Sequence, residues 1–310
     1  MTAQATPRVS VIRVSVIVMT LDRPLSLRRC LASLAAQTLL RETFEVILVD
    51  VSKRPVRNVA AAYGGVLNLV HDIGSNRGVA GNRNTGVLLA RGPIVAFLDD
   101  DCVAAPEWLE RITVAVEAEP RAIVGGVVRN PDPTNAVAVA GQVITEGIDA
   151  FFNPAGKAPR FFPGFNFAVE RERYLAIGGC DDRFGRLAAE DRDFVDRWLL
   201  AGGRLAHCRE AVVAHEHRGT LGGFVRQHLN YGRGAWRYHS LRRHQRSGRM
   251  VDDLRLHTGL PRYLGPPLMR QVPVMRAKVL GLLVAWQVAN LVGFASQGAC
   301  EAIARRAHAE

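Results

Sequence analysis

No two cysteines in this chain stand in a CxxC spacing, and the five present, Cys30, Cys102, Cys180, Cys208 and Cys300, are an odd and scattered set. Neither a disulfide framework nor a thiolate zinc site is indicated, and free thiols in a reducing cytoplasm are the expectation. An apolar leader is lacking too. The first thirteen residues are polar at the start and hold no hydrophobic stretch of the secretion-signal kind, so the chain is expected to stay inside the cell. Internal repeats and low-complexity tracts are absent. The first 203 residues show no charge surplus, with 23 Lys and Arg against 23 Asp and Glu. The whole excess of +11 lies beyond them, where residues 204–310 hold 17 against 6. Such a basic segment attracts nucleic acid, anionic lipid or a phosphate-bearing substrate, and charge alone does not choose among these.

What is present is a full core's worth of apolar residues, 48% of 310, arranged as strand and helix patterns in alternation. Val14 to Met19 is a β-branched run followed by Thr20, Leu21, Asp22, Arg23 and then Pro24, suited to the first turn of a helix carrying Leu27, Leu31 and Leu34. A second strand is predicted over Phe44–Val49, ending at Asp50, and a third over Val66–Val70. An Asn-, Arg- and Gly-rich stretch from Asn76 to Gly86 leads into a helix, and Pro93 opens the run Ile94–Leu98, which ends on Asp99, Asp100 and Asp101. A helix is predicted over Pro106–Ala118 and a strand over Ala122–Val128, then a loop without periodicity toward Pro163, an apolar run over Phe165–Val169, and a helix over 189–201. The fold class is α/β, a mainly parallel sheet flanked by helices. Parallel sheets gather binding residues beyond the carboxyl ends of their strands, so Asp50 and Asp99 to Asp101 should lie along one edge.

Carboxylates alternating at a strand end, Asp99 and Asp101, offer hard oxygen ligands to Mg²⁺ or Mn²⁺. A solvated acidic turn is the plainer alternative. Asp50 could accept hydrogen bonds from a nucleobase or ribose, or simply serve a turn. Arg83 offers a charged fork and Asn84 an amide to phosphate and sugar, although Asn and Gly also make turns. Glu190 and Asp191 open a helix, where acids favour the dipole; one of them could instead take a proton from an attacking hydroxyl. His215 and His217 flank Glu216, and a single histidine joining Asp101 at a metal is more economical than a zinc site.

In order, these elements resemble the family 2 glycosyltransferases, with their A-type fold. The stretches that carry the resemblance are Val14 to Val18 with Arg23 and Pro24, Phe44 to Asp50, Asn76-Arg77-Gly78, Arg83 to Gly86, Phe97 to Asp101, Gly164-Phe165-Asn166, Ile177 to Asp181 with Phe184, Glu190-Asp191 and His215. The resemblance implies a donor site drawn from Thr20, Asp22, Arg23, Asp50, Asn76, Gly78, Arg83, Asn84, Asp99 and Asp100. It implies a metal at Asp99, Asp101 and His215, an acceptor side at Gly164 and Asn166, and Asp191 as general base with Glu190 as neighbour or substitute. It implies inversion by a single displacement from a nucleoside diphosphate sugar, UDP first, with dTDP and GDP open. Two departures stand out: Asp50 is followed by Val51-Ser52-Lys53 where the family often has a second Asp or Asn and then Gly-Ser, and Asp22 stands where many members carry Asn. The QxxRW motif of processive synthases is missing, which favours transfer of one or a few sugars. A nucleotidyltransferase on a sugar phosphate is a rival, but the first strand is not followed by a glycine-rich phosphate loop; a noncatalytic nucleotide-sugar binder of the same fold is another.

The expected organisation is a transferase domain over 1–219, nucleotide-binding over about 14–130 and acceptor-binding over about 131–219, with a basic helical extension over 220–310. Leu221, Phe224, Val225, His228, Ala235 and Trp236 fall near one helical face, with Arg226, Arg233, Arg237, Tyr231 and Tyr238 able to meet a membrane surface. Residues 279–300 run 22 positions without charge, and read as an amphipathic or monotopic helix, a span, or an ordinary packing helix. Arg242 to Arg246 could pair with phosphates, but no recognition module accompanies it and no nucleic acid is expected. The expectation is a cytoplasmic enzyme at the inner membrane face, working on a glycan or lipid-linked acceptor.

Overall fold

A computed structural model describes residues 11–217, 219–245 and 250–307. Strand β1 (Val14–Thr20), helix α1 (Pro24–Ala35) and β2 (Phe44–Asp50) open the fold, followed by the short α2 (Arg57–Ala61), β3 (Leu69–Ile73), α3 (Gly78–Leu89), β4 (Ile94–Asp99) and β5 (Cys102–Ala104). α4 (Trp108–Ala118), β6 (Ala122–Arg129), α5 (Ala136–Phe152), β7 (Asn166–Glu170), α6 (Arg171–Ala176), α7 (Glu190–Leu200) and β8 (Arg204–His215) complete an eight-stranded sheet of order β3-β2-β1-β4-β7-β6-β8-β5. Among the described residues four helices follow, α8 (Leu221–Gln245), α9 (Met250–Thr258), α10 (Leu260–Met269) and α11 (Pro273–Ala307). The run Arg242 to Arg246 passes beyond the described residues at Arg246.

Strands β3, β2, β1 and β4 are parallel, and β7 joins β4 antiparallel. With helices on both sides, β1 and β2 are apolar along most of their length rather than alternating, as buried parallel strands require. One face packs on α1, α2 and α4 through Leu27, Leu31, Trp108 and Ile112; the other packs on α3, α6 and α7 through Val87, Tyr174, Phe194 and Trp198. Glu45 is fully buried within β2, where it accepts hydrogen bonds from Ser15 Oγ (2.7 Å) and from Arg91 N–H and Nε (2.7 and 2.8 Å). These offset the cost of a buried carboxylate.

The third strand starts three residues later than predicted. Val66 and Leu67 donate backbone hydrogen bonds to Tyr63 O and so close a turn, and pairing begins only at Val46 with Leu69. The stretch expected to be a loop before Pro163 contains α5, 17 residues long, with Asn135 Oδ1 accepting from the N–H groups of Val137 and Ala138. Its Ala-Val alternation masks the helical period, because α5 is buried on more than one side. Val139, Val143 and Ile144 form a third cluster with Phe224, Leu264, Leu268, Val279, Leu283 and Trp286 of α8, α10 and α11.

Candidate active site

The register of the sheet assembles the site. Thr20 pairs with Asp50, Met19 with Asp99, and Leu98 with Asn166, so the ends of β1, β2 and β4 and the start of β7 share one edge. Cys102 pairs with His215, which brings the end of β8 beside Asp101.

The three successive aspartates do different things. Asp100 turns inward, accepting from Thr20 Oγ1 (2.7 Å) and Arg23 Nη1 (3.0 Å); burial pushes its carboxyl up to about 7, against the pull of Arg23. Asp99 and Asp101 line a cleft of about 1120 Å³. Burial raises the pKa of Asp99, with Arg83 acting against it and Asp101 adding to it. Asp101 receives Arg23 Nη1 at 2.5 Å, and its Oδ1 lies 3.5 Å from His215 Nε2.

Donor atoms of Asp101, Cys102 and His215 all lie within 4.8 Å of one another. Burial holds the Cys102 thiol well above its ordinary pKa, and the carboxylate and imidazole beside it are donors suited to Mg²⁺ or Mn²⁺. The His215 ring stacks on Phe165 at 4.4 Å, and its Nδ1 is buried without a hydrogen-bond partner among the described residues. Asp101 and His215 therefore fit a divalent ion, while Asp99, expected beside them, lies outside this cluster and toward Arg83.

On the cleft's other side, Arg83 of α3 is buried, donates from Nη1 to Glu190 Oε1 (2.6 Å) and approaches Asp99 Oδ1 at 3.7 Å. Burial works against its charge, but Glu190 and Asp99 hold its pKa above the ordinary value. A side chain at Gly164 would place Cβ 2.4 Å from Arg83 Nη1, so glycine there is what lets the guanidinium through. Burial first, and Asp191 second, push Glu190 up to about 7. Asp191 is held differently: its Oδ2 accepts Gly164 N–H (2.9 Å) and its Oδ1 accepts Arg192 N–H (2.7 Å). It lines the cleft as the second residue of α7, whose entry residue Ala189 takes a left-handed φ of 75°.

Of the expected site residues, Arg23, Arg83, Asp99, Asp101, Gly164, Glu190, Asp191 and His215 line this one cleft. Thr20, Asp22, Asp50, Asn76, Gly78, Asn84, Asp100 and Asn166 do not appear in its walls. Asp50 is fully buried; burial works to raise its pKa, but hydrogen bonds from Ser52, Val56 and His71 leave it lowered. Asp22 accepts Lys53 N–H (3.0 Å), bracing the loop after β1 against the loop after β2. Asn76 accepts Gly78 N–H (2.9 Å), and Gly78 takes φ 82° where a Cβ would strike Gly185 O at 1.6 Å. Asn84 donates to Cys180 O and Asp182 and accepts from Tyr174 and Cys180, spending its amide on the fold. Asn166 bonds Trp108 and Val127 in the same manner.

Of the α8 residues read from sequence as able to meet a membrane surface, Phe224, Arg226, His228, Tyr231, Arg233 and Ala235 instead line a wall of the cleft, together with Trp286 and Asn290 of α11. No local pattern distinguishes the two placements; the third cluster behind α5 decides it. Arg192, beside Asp191, donates to Asp253 of α9 at 2.8 Å and lies 4.2 Å over the Tyr238 ring, tying the carboxylate-bearing helix to the same wall.

The family model described as Glycosyl transferase family 2 matches residues 15–180, more than half of the chain. The chain belongs to that family. Among curated family relatives, the glucosyl-dolichyl phosphate glucuronosyltransferase of Haloferax volcanii is 32% identical over 186 residues, which is 58% of this chain and 50% of that one, so the chain spans half that relative's length. Glycosyltransferase AglE of the same organism is 26% identical over 230 residues, covering 71% of this chain and 72% of that one. The mannosyltransferase PcManGT of Pyrobaculum calidifontis, solved in complex with GDP-Man and Mn²⁺, aligns over 93% of this chain and 87% of its own with a TM-score of 0.61 at 20% identity. That likeness shows the A-type glycosyltransferase fold.

Proposed function

We propose that this family 2 member transfers a sugar from a nucleoside diphosphate sugar to an acceptor hydroxyl with inversion, in a divalent-metal-dependent reaction. The observation that carries the reading is the convergence of Asp99, Asp101 and His215 on one cleft with Asp191. Asp191, oriented by the Gly164 and Arg192 amides, accepts the hydroxyl proton as the acceptor oxygen bonds to the anomeric carbon and the bond to the diphosphate breaks. No protein nucleophile is needed in a single displacement. Arg83 and Arg23 set positive charge beside the carboxylates, so the site's negative charge is partly compensated before the donor arrives. A bound Mg²⁺ or Mn²⁺ held by Asp99, Asp101 and His215 would neutralise charge building on the departing diphosphate. Glu190, locked to Arg83, is a positioning residue in this scheme.

The relative named for glucosyl-dolichyl phosphate supports a lipid-linked acceptor, and the GDP-Man complex keeps GDP beside UDP and dTDP as donor nucleotides. The basic C-terminal third and its apolar helix support peripheral contact with the inner face of the cell membrane.

The test is thermal stabilisation by UDP, dTDP, GDP and CMP, each with and without Mn²⁺, since a ligand of the native state raises apparent stability. One diphosphate should shift the melt only with metal, and Asp101→Ala should abolish that shift. No shift with any nucleotide, or an undiminished shift in the variant, would sink the donor-site assignment. Product analysis then separates sugar transfer, which releases a nucleoside phosphate, from nucleotidyl transfer, which releases pyrophosphate.

A further inference from the structure

Helix α11 has a face that neither the cleft nor the core uses. Val279, Leu283, Trp286 and Ala289 are buried against the protein. On the far side, Leu280, Val284, Val288, Leu291 and Val292 are 49–69% exposed, at the spacing of a single helical stripe. With Ala295 it runs about 22 Å. No charged residue occurs from 279 to 300.

The charges at its ends limit what can cover the stripe. Arg276 and Lys278 stand before it; after it come Glu301, paired with Arg237 and Arg305, and Arg306, so both ends keep a net positive charge. A second copy laid along it, parallel or antiparallel, would bring cationic ends together, whereas an anionic lipid surface complements both ends at once.

Its packing limits how it meets that surface. A Cβ on Gly232 of α8 would fall 2.1 Å from Asn290 O of α11, and one on Gly293 of α11 would fall 2.1 Å from Leu229 O of α8. The two backbones are in contact, so α11 cannot enter the hydrocarbon centre without α8. That helix carries Arg226, Arg233 and Arg237, which the centre of a bilayer rejects.

We propose that α11 lies in the plane of an anionic membrane, its Leu280-to-Ala295 stripe among the acyl chains, and does not cross it. This rests on the peripheral-membrane reading above and is independent of catalysis. Asn290, which lines the cleft, is one residue and therefore about 100° around the helix from Leu291 on the stripe, so the stripe adjoins the cleft wall.

The experiment is co-sedimentation of the full chain with vesicles of phosphatidylcholine and phosphatidylglycerol in equal parts, comparing wild type with Leu280→Asn/Leu291→Asn and Leu280→Phe/Leu291→Phe. Wild type and the Phe pair should bind, and the Asn pair should partition about tenfold or more weakly, with its melt and its nucleotide-dependent shift retained. Asp191→Asn should bind vesicles like wild type, so loss of transfer and loss of membrane binding are read separately. The proposal is overturned if wild type stays in solution, if the Asn pair binds as well as wild type, if bound protein resists alkaline carbonate as a spanning helix does, or if the stripe variants abolish a dimer rather than vesicle binding.

Discussion

Replacing Asp191 by Asn exchanges a proton acceptor for an amide of the same shape, whose oxygen can still accept from Gly164 or Arg192. Transfer by Asp191→Asn should fall about 10²–10⁴-fold in kcat, the usual worth of a general base, while the metal-dependent nucleotide shift survives. Near wild-type turnover would remove Asp191 from the base role. Sequence alone left Asp191 open, since acids opening a helix also serve its dipole, and the resemblance singled it out as the base. The division of labour among Asp99, Asp100 and Asp101 was only half legible: alternation along a strand separates the middle one from its neighbours, but that Thr20 and Arg23 hold the inward one depends on residues some 80 positions away. Arg83 illustrates the same limit. Its fork was readable as a charge for phosphate, yet its nearest anion is Glu190, 107 residues distant, and only the fold brings the two together.

At the scale of elements, α8 offers a pH-dependent signature. His228 is 5% exposed, lies among Phe224, Tyr231 and Trp286, and is held by burial at about 4. Below about pH 6.5 the unfolded chain takes up a proton that the folded histidine refuses until about pH 4, so stability falls as pH drops through that window by about 1.4 kcal/mol per unit. His217, held at about 3 chiefly by burial, acts in the same direction. Urea unfolding at pH 7 and pH 5 should therefore show about 2 kcal/mol less acid loss in His228→Gln than in wild type. Parallel losses would mean that His228 is already protonated in the fold. The elements of the parallel half were legible as short β-branched runs ending in turn residues. α5 was not, since a helix buried on several sides loses the one-sided period by which helices are recognised.

For the whole molecule, the third cluster joins α5 to α8, α10 and α11, and Arg192 joins α7 to α9. A chain ending at residue 219 should consequently fail to give a soluble, cooperatively melting protein, since Val139, Val143 and Ile144 would lose their cover; a sharp melt from that fragment would show the first 219 residues to be self-sufficient. The order of synthesis adds a further consequence. α5 leaves the ribosome well before the helices that cover it, and the stretch 221–307 takes about 4–17 s to follow at ordinary translation rates. For that interval a nascent chain carries a complete sheet with one sticky helix. Ribosome-bound chains stalled near residue 240 should crosslink to a general chaperone through α5, and chains released after α11 should not.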